Sequence, residues 1–189
     1  MPGKSIEDFV SQLAGSEPVP AGVSAAAVSA AFGVALLLKV LAIIKKHSVT
    51  ENLEECERAA TLGLQRLRQA AEDDIAAYRA YLRTRTIPEE RDAALRQAIE
   101  TPLDAARMAA AALEICAKTA ASCPANIAPD LATAATLLAA AVRAILLSVD
   151  ANARMLNDQP FLDAISAERR LLISAAARFE QSIFTRLAL

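Results

Sequence analysis

Tryptophan is absent, and five phenylalanines and two tyrosines are the only aromatic side chains among 189 residues. The five glycines are too few for a turn-rich β fold. There is no glycine-rich phosphate loop, dinucleotide fingerprint or nucleophile elbow. A single histidine, His47, excludes a paired-histidine metal site; nothing at metal-ligand spacing accompanies it, and it reads as a surface residue. Cys56, Cys116 and Cys123 are an odd number without zinc-type spacing, so they read as reduced, small core residues of a cytoplasmic protein. An excess of one charge is also missing. The net charge of −2 leaves no electrostatic case for nucleic acid.

What is abundant is alanine, a strong helix former with a small side chain. It suits helices packed at close range and predicts an all-α fold: one domain over residues 1–189, built as a bundle of about five long helices plus short ones. A core of alanine buries little area per residue, so large helix and subunit contacts must compensate.

The longest apolar run organises the rest. From Pro18 to Leu38 there is no charge, and the run ends at Lys45-Lys46-His47. Pro18 and Pro20, with Gly22 and Ser24 after them, are a loop able to start a helix. The helix that follows is expected to be buried on nearly all sides. The run is long enough to cross a bilayer. Against a membrane span stand Lys39 within it, the acid-containing segment Ser5 to Ser11 before it, and the lack of a basic stretch leading into it as in a secretory signal.

Ser5 with Asp8 is a capping-box start for a helix from Ile6 to Ala14, with Ile6, Phe9, Val10 and Leu13 on one face. Ser48 with Glu51 predicts another, running to about Arg83. Its stripe is Leu53, Cys56, Ala60, Leu64, Leu67, Ala71, Ile75, Tyr78 and Leu82. Glu54, Glu55, Arg58, Arg66, Arg68 and Glu72 make its solvated face. After a break at Thr84 to Pro88, Glu89 to Ile99 is a charged helix. Thr101-Pro102 reads as an N-cap with proline at the first helical position, a kink in one continuous helix being the alternative. Ser122 to Pro129 is a loop, Asp130 begins a nearly charge-free helix ending near Asn157-Asp158, and Pro160 opens the last, to about Arg186. The helices starting near Ala21, Pro102 and Asp130 are too apolar for the outside of a monomer, which predicts a homodimer or larger homo-oligomer.

Polar residues on these apolar elements are the site candidates. Asp74 falls on the stripe of its helix while Asp73 points to the polar face; a carboxylate there needs a partner or a shifted pKa. Asp130 sits in a first helical turn, where capping or the helix dipole also explains it. Asn152 lies on the core side of the same helix, where an interhelical hydrogen bond is the plain alternative. Lys45 and Lys46 complement the helix dipole at a C-terminus.

Read together, these segments resemble the cyclodeaminase/cyclohydrolase family of folate enzymes, from Ile6 to about Asn152. That family opens with a short helix, then a Pro-Thr-Pro-Gly-Gly-Gly-Ser loop into an alanine-rich helix ending in lysines. Here the loop is Pro18-Val19-Pro20-Ala21-Gly22-Val23-Ser24. Asp73 to Tyr78 matches the family's aspartate motif, Asn126 to Ala132 its Asn-x-x-Ser-Asp-x-Gly element, and Leu147 to Asn152 its Leu-Asn-Val-x-x-Asn element. The chain departs from the pattern at Ala21, Val23, Ala76, Pro129, Ala132 and Ser148.

The resemblance implies a helical fold and a folate site at a subunit or helix interface. It implies hydrolysis of 5,10-methenyltetrahydrofolate to 10-formyltetrahydrofolate, or the related formimino-tetrahydrofolate cyclodeaminase reaction. Either would use a tetrahydrofolate derivative as substrate, with a proton shuttle and neither metal nor separate cofactor. The implied catalytic residues are Lys45, Asp74 and Asp130. Pro20, Ala21, Gly22, Val23, Ser24, Asn126 and Asn152 would bind the ligand. The alternative, drawn from the departures, is a family member without turnover that binds folate, another small molecule or a protein.

Overall fold

The computed structural model describes residues 5–46 and 50–189, and every regular element among them is helical. In order these are α1 (Ile6–Leu13), α2 (Gly22–Lys45), α3 (Glu51–Thr84), α4 (Pro88–Thr119), α5 (Ala128–Ala153) and α6 (Gln159–Leu187), with short 3-10 turns at Ala120–Ser122 and Ala125–Ile127 between α4 and α5. The expected bundle of five long helices plus short ones therefore forms.

Helix starts follow local chemistry. The Ser5 hydroxyl accepts from the Asp8 amide at 3.0 Å, and the Asp8 carboxylate accepts from the Ser5 amide at 3.1 Å. Only Phe9 of α1 is buried; Ile6 and Val10, expected on the same covered face, are exposed. His47 and Ser48 lie outside the described residues. Helix α3 is capped by Thr50, whose hydroxyl accepts from the Leu53 amide at 3.3 Å. Asp158 caps α6 through the Phe161 amide at 3.3 Å. Helix α5 ends at Ala153, earlier than expected.

Helix α2 packs against α3 and α5, and α4 completes the core against α3 and α5. Ala27, Ala30, Val34, Leu37, Val40 and Leu41 of α2 are buried. Gly33 permits the close approach of α5, since a Cβ there would stand 2.9 Å from Leu138 Cγ and 3.0 Å from the Ala134 carbonyl oxygen. The opposite face corrects the expectation of burial on nearly all sides. Ala35, Lys39 and Ala42 are exposed, Val28 is half-buried, and Phe32 is 49% exposed. Alanine-rich sequence gives no directional signal, so the open stripe was hidden in the composition. Both α2 and the segment Ala125–Ala153 are long and apolar enough to cross a membrane; here each packs on other helices of the bundle.

The stripe of α3 is buried at Leu53, Cys56, Ala60, Leu67 and Ala71 and half-buried at Leu64, Ile75, Tyr78 and Leu82. Helix α4 runs unbroken through Pro102, so Thr101-Pro102 starts no new helix. Proline removes the amide that would serve the carbonyl four residues back, that of Ala98. Asn152 Nδ2 donates to this Ala98 oxygen at 2.7 Å. Helix α5 begins at Ala128, two residues before Asp130, with Pro129 in its first turn. Cys56 and Cys116 are buried and all three cysteines are free.

Candidate functional site

In the loop before α2, Val19 is buried and Pro20 half-buried, and the peptide between them is cis. Ala21 is the N-cap residue and makes no side-chain cap. Ala21 and Gly22 are exposed, and a Cβ at Gly22 would meet nothing within 4 Å. Val23 is only 4% exposed, so its side chain packs inward. Ser24 does not cap the helix. It lies inside the first turn of α2, buried, and its hydroxyl reaches across to α3. Ser24 Oγ is 3.4 Å from the Ala71 carbonyl oxygen and 3.5 Å from Asp74 Oδ2.

Asp74 is half-buried, whereas Asp73 is exposed and accepts from Gln69 Nε2 at 3.0 Å. One helical residue, a rotation of about 100°, separates the two environments. Burial pushes the Asp74 carboxyl up to about 6, and the Ser24 hydroxyl opposes this only in part. A carboxyl poised there exchanges its proton near neutral pH, which is what a general acid or base requires.

The other candidates fall elsewhere. Lys45 closes α2, 21 residues beyond Ser24 and therefore about 32 Å along the helix axis. Its Nζ donates to Glu57 Oε2 at 2.6 Å, and this carboxylate holds the ammonium above the usual lysine range. Lys45 is thus a fixed cation at neutral pH, suited to orienting charge rather than removing protons. Asp130 accepts from Lys39 Nζ at 2.7 Å, a partnership absent from the sequence reading. Asn126 is exposed on the 3-10 turn just before α5.

Since Lys39 meets Asp130 and Gly33 lies against Ala134 and Leu138, α2 and α5 run antiparallel. The C-terminal end of α5, with Asn152, accordingly lies toward the Ser24 end of α2. The side chain of Asn152 is committed to Ala98.

Within one chain, then, Pro20 to Ser24 and Asp74 come together, while Lys45, Asp130 and Asn126 lie toward the opposite end of α2. Glu57 and Lys39 were missed as partners because pairing between helices depends on register, which the sequence does not display. Among the described residues no three His, Cys, Asp or Glu side chains stand where they could share a metal ion.

Known proteins share the fold. The chain is 29% identical to methenyltetrahydrofolate cyclohydrolase of Methylorubrum extorquens, over 96% of this chain and 94% of that protein. Its backbone matches the crystal structure of formiminotetrahydrofolate cyclodeaminase from Thermotoga maritima with a TM-score of 0.93. That match covers 98% of this chain and 96% of the other at 22% identity, a likeness of fold. The family model described as formiminotransferase-cyclodeaminase matches residues 5–171, and the protein belongs to that family.

Proposed function

We propose that the protein hydrolyses 5,10-methenyltetrahydrofolate to 10-formyltetrahydrofolate, with the formimino-tetrahydrofolate cyclodeaminase reaction as the related chemistry of the same site. The observation that carries this reading is the Ser24–Asp74 pair under the loop at the start of α2, a carboxyl with a pKa of about 6. The cyclohydrolase relative, matched along nearly its whole length, supports the substrate class.

In this reading water adds to the carbon bridging N5 and N10. Asp74 takes a proton from the attacking water as the C–O bond forms, giving a tetrahedral carbon. It returns a proton to N5 as the C–N5 bond breaks, and loss of the remaining hydroxyl proton leaves the formyl group on N10. Ser24 holds the carboxyl in place through these transfers. The loop from Pro20 to Ser24 walls the ligand mainly with backbone, since the Val23 side chain faces the core.

Lys45, Asp130 and Asn126 stand too far from Asp74 to act on the same ligand within one chain. The open apolar stripe on α2 favours a homodimer in which a second copy covers that face and brings these groups into a shared site. We place the protein in the cytoplasm, outside the membrane, with folate rather than nucleic acid as its ligand.

Mixing the purified protein with methenyltetrahydrofolate and following loss of its near-ultraviolet absorbance, under conditions of slow spontaneous hydrolysis, tests the assignment. Enzyme-dependent loss that disappears in Asp74→Asn is the expected result. Saturable folate binding without turnover would favour the second reading, a binding protein without catalysis. Ala21 and Val23, in place of two family loop glycines, are the observation behind it.

A further inference from the structure

Helix α6 is held differently from the rest of the bundle. Of its 29 residues only Ile165, Ala176 and Ile183 are buried. Helix α4 buries 14 of its 32 residues and α5 buries 12 of 26. Phe161, Leu172 and Phe179 of α6 touch the core but stay half-buried. By area removed from water, α6 gains less per residue than the two helices beneath it.

Charge supplies what apolar burial does not. The Arg107 guanidinium on α4 donates two hydrogen bonds of 2.6 Å to the Glu168 carboxylate. Arg143 on α5 meets Glu180 at 3.1 Å. Arg169 of α6 brings Nε to 2.5 Å from Asp150 on α5, an ionic contact without hydrogen-bond alignment. At the start of α6, Asp158 pairs with Arg96 of α4, whose guanidinium also lies 5.1 Å from the centre of the Phe161 ring. From Asp158 to Glu180 these four pairs span about 33 Å along the α6 axis. Their side chains are 22% to 47% exposed, so dissolved ions reach all of them. The Debye length falls from about 10 Å in 0.1 M salt to about 3 Å in 1 M. One such pair contributes little. Four that break together add up, and a stiff helix fastened along its length releases as a unit. Residues 154–158 are non-helical between α5 and α6, with Leu156 buried among the core residues.

We infer that α6 is a charge-latched strap. It opens from the α4–α5 face on the 154–158 hinge while the other helices stay folded, and ionic strength sets how often it opens. Leu156 keeps the hinge attached to the bundle. None of these residues belongs to the Ser24–Asp74 site, so failure of the folate reading leaves the strap in place.

Native-state hydrogen exchange of the full chain, read by peptide mass spectrometry at two salt concentrations, tests this. In low salt the amides between Ile165 and Ile183 should exchange through an opening easier than global unfolding, while those in the middle of α4 and α5 exchange only with it. Going from about 0.1 M to about 1 M sodium chloride should speed α6 exchange at least about tenfold and leave α4 and α5 unmoved. Glu168→Gln combined with Glu180→Gln keeps the side-chain shapes and removes two latches. That variant should exchange α6 faster in low salt and respond less to added salt. Glu114→Gln breaks the Lys118 pair within α4 and should leave α6 exchange as in wild type. The salt comparison uses wild type alone, so it stands even where a variant is too unstable to read. Exchange of α6 only with global unfolding, or at the same rate in both salts, overturns the strap. So does a folded double variant that exchanges α6 as wild type does, which would mean that apolar packing holds the helix.

Discussion

Asn152 donates from α5 to the main-chain oxygen of Ala98 on α4, at 2.7 Å, where Pro102 has removed the helix's own donor. A residue expected to bind ligand instead completes the hydrogen bonding of a proline-interrupted helix. Asn152→Ala leaves that carbonyl unserved and is expected to lower stability by about 1–3 kcal/mol. In a Pro102→Ala background Ala98 regains an amide donor, so the cost of Asn152→Ala should shrink. Denaturant unfolding of the four proteins measures the difference, and an unchanged cost would show that Asn152 serves something other than the interrupted helix.

The raised carboxyl of Asp74 makes stability depend on pH. Its folded pKa of about 6 lies above the ordinary 3.8, so the folded state holds the proton more tightly than the unfolded chain. The stabilisation is fully present below the unfolded value and is lost as pH rises through the folded one. Discounted for solvent screening, its size is about 2 kcal/mol. Asp74→Asn should remove that slope between about pH 4 and 6 and match or exceed wild-type stability at neutral pH. Melting curves across the range, with Asp73→Asn as the control that keeps the slope, decide it.

Gly33 is expected to reject even a methyl group. Gly33→Ala forces Cβ against Leu138 and the Ala134 carbonyl, and moving α5 away should cost about 1–3 kcal/mol. Gly22→Ala, where a Cβ meets nothing within 4 Å, should change the unfolding midpoint little. Equal effects at the two positions would show that α2 and α5 are not in close contact.

Phe32 lies on the open stripe of α2, 49% exposed. If two copies meet there, Phe32→Glu should convert a dimer to a folded monomer in sedimentation at micromolar concentration. A wild-type protein that already sediments as a monomer would remove the shared site.

The Lys39–Asp130 pair is exposed enough for solvent to screen it, at 57% and 34% for the two side chains. Asp130→Asn should therefore change stability by less than about 1 kcal/mol. If Asp130 serves the reaction, its turnover should fall well beyond what that loss of stability explains. Initial rates and melting on the same preparation separate the two effects.

The sequence by itself determined the helices and most of their ends. Ser5 with Asp8, the apolar spacing of α3 and Pro160 in the first turn of α6 act within a few residues, so local chemistry settles them. It also placed Asp74 inward and Asp73 outward, because helical phase depends on nothing beyond the helix. Tertiary structure alone decided which face of α2 stays open, that α4 continues through Pro102, that Asp130 pairs with Lys39, and that Lys45 stands a helix length from Asp74. Each of these turns on how two helices are set against one another. Asn152 and Ala98 are separated by 54 residues, and Lys39 and Asp130 by 91. Alanine faces are nearly uniform around the helix, so the register between them emerges only when the larger side chains and Gly33 are packed together.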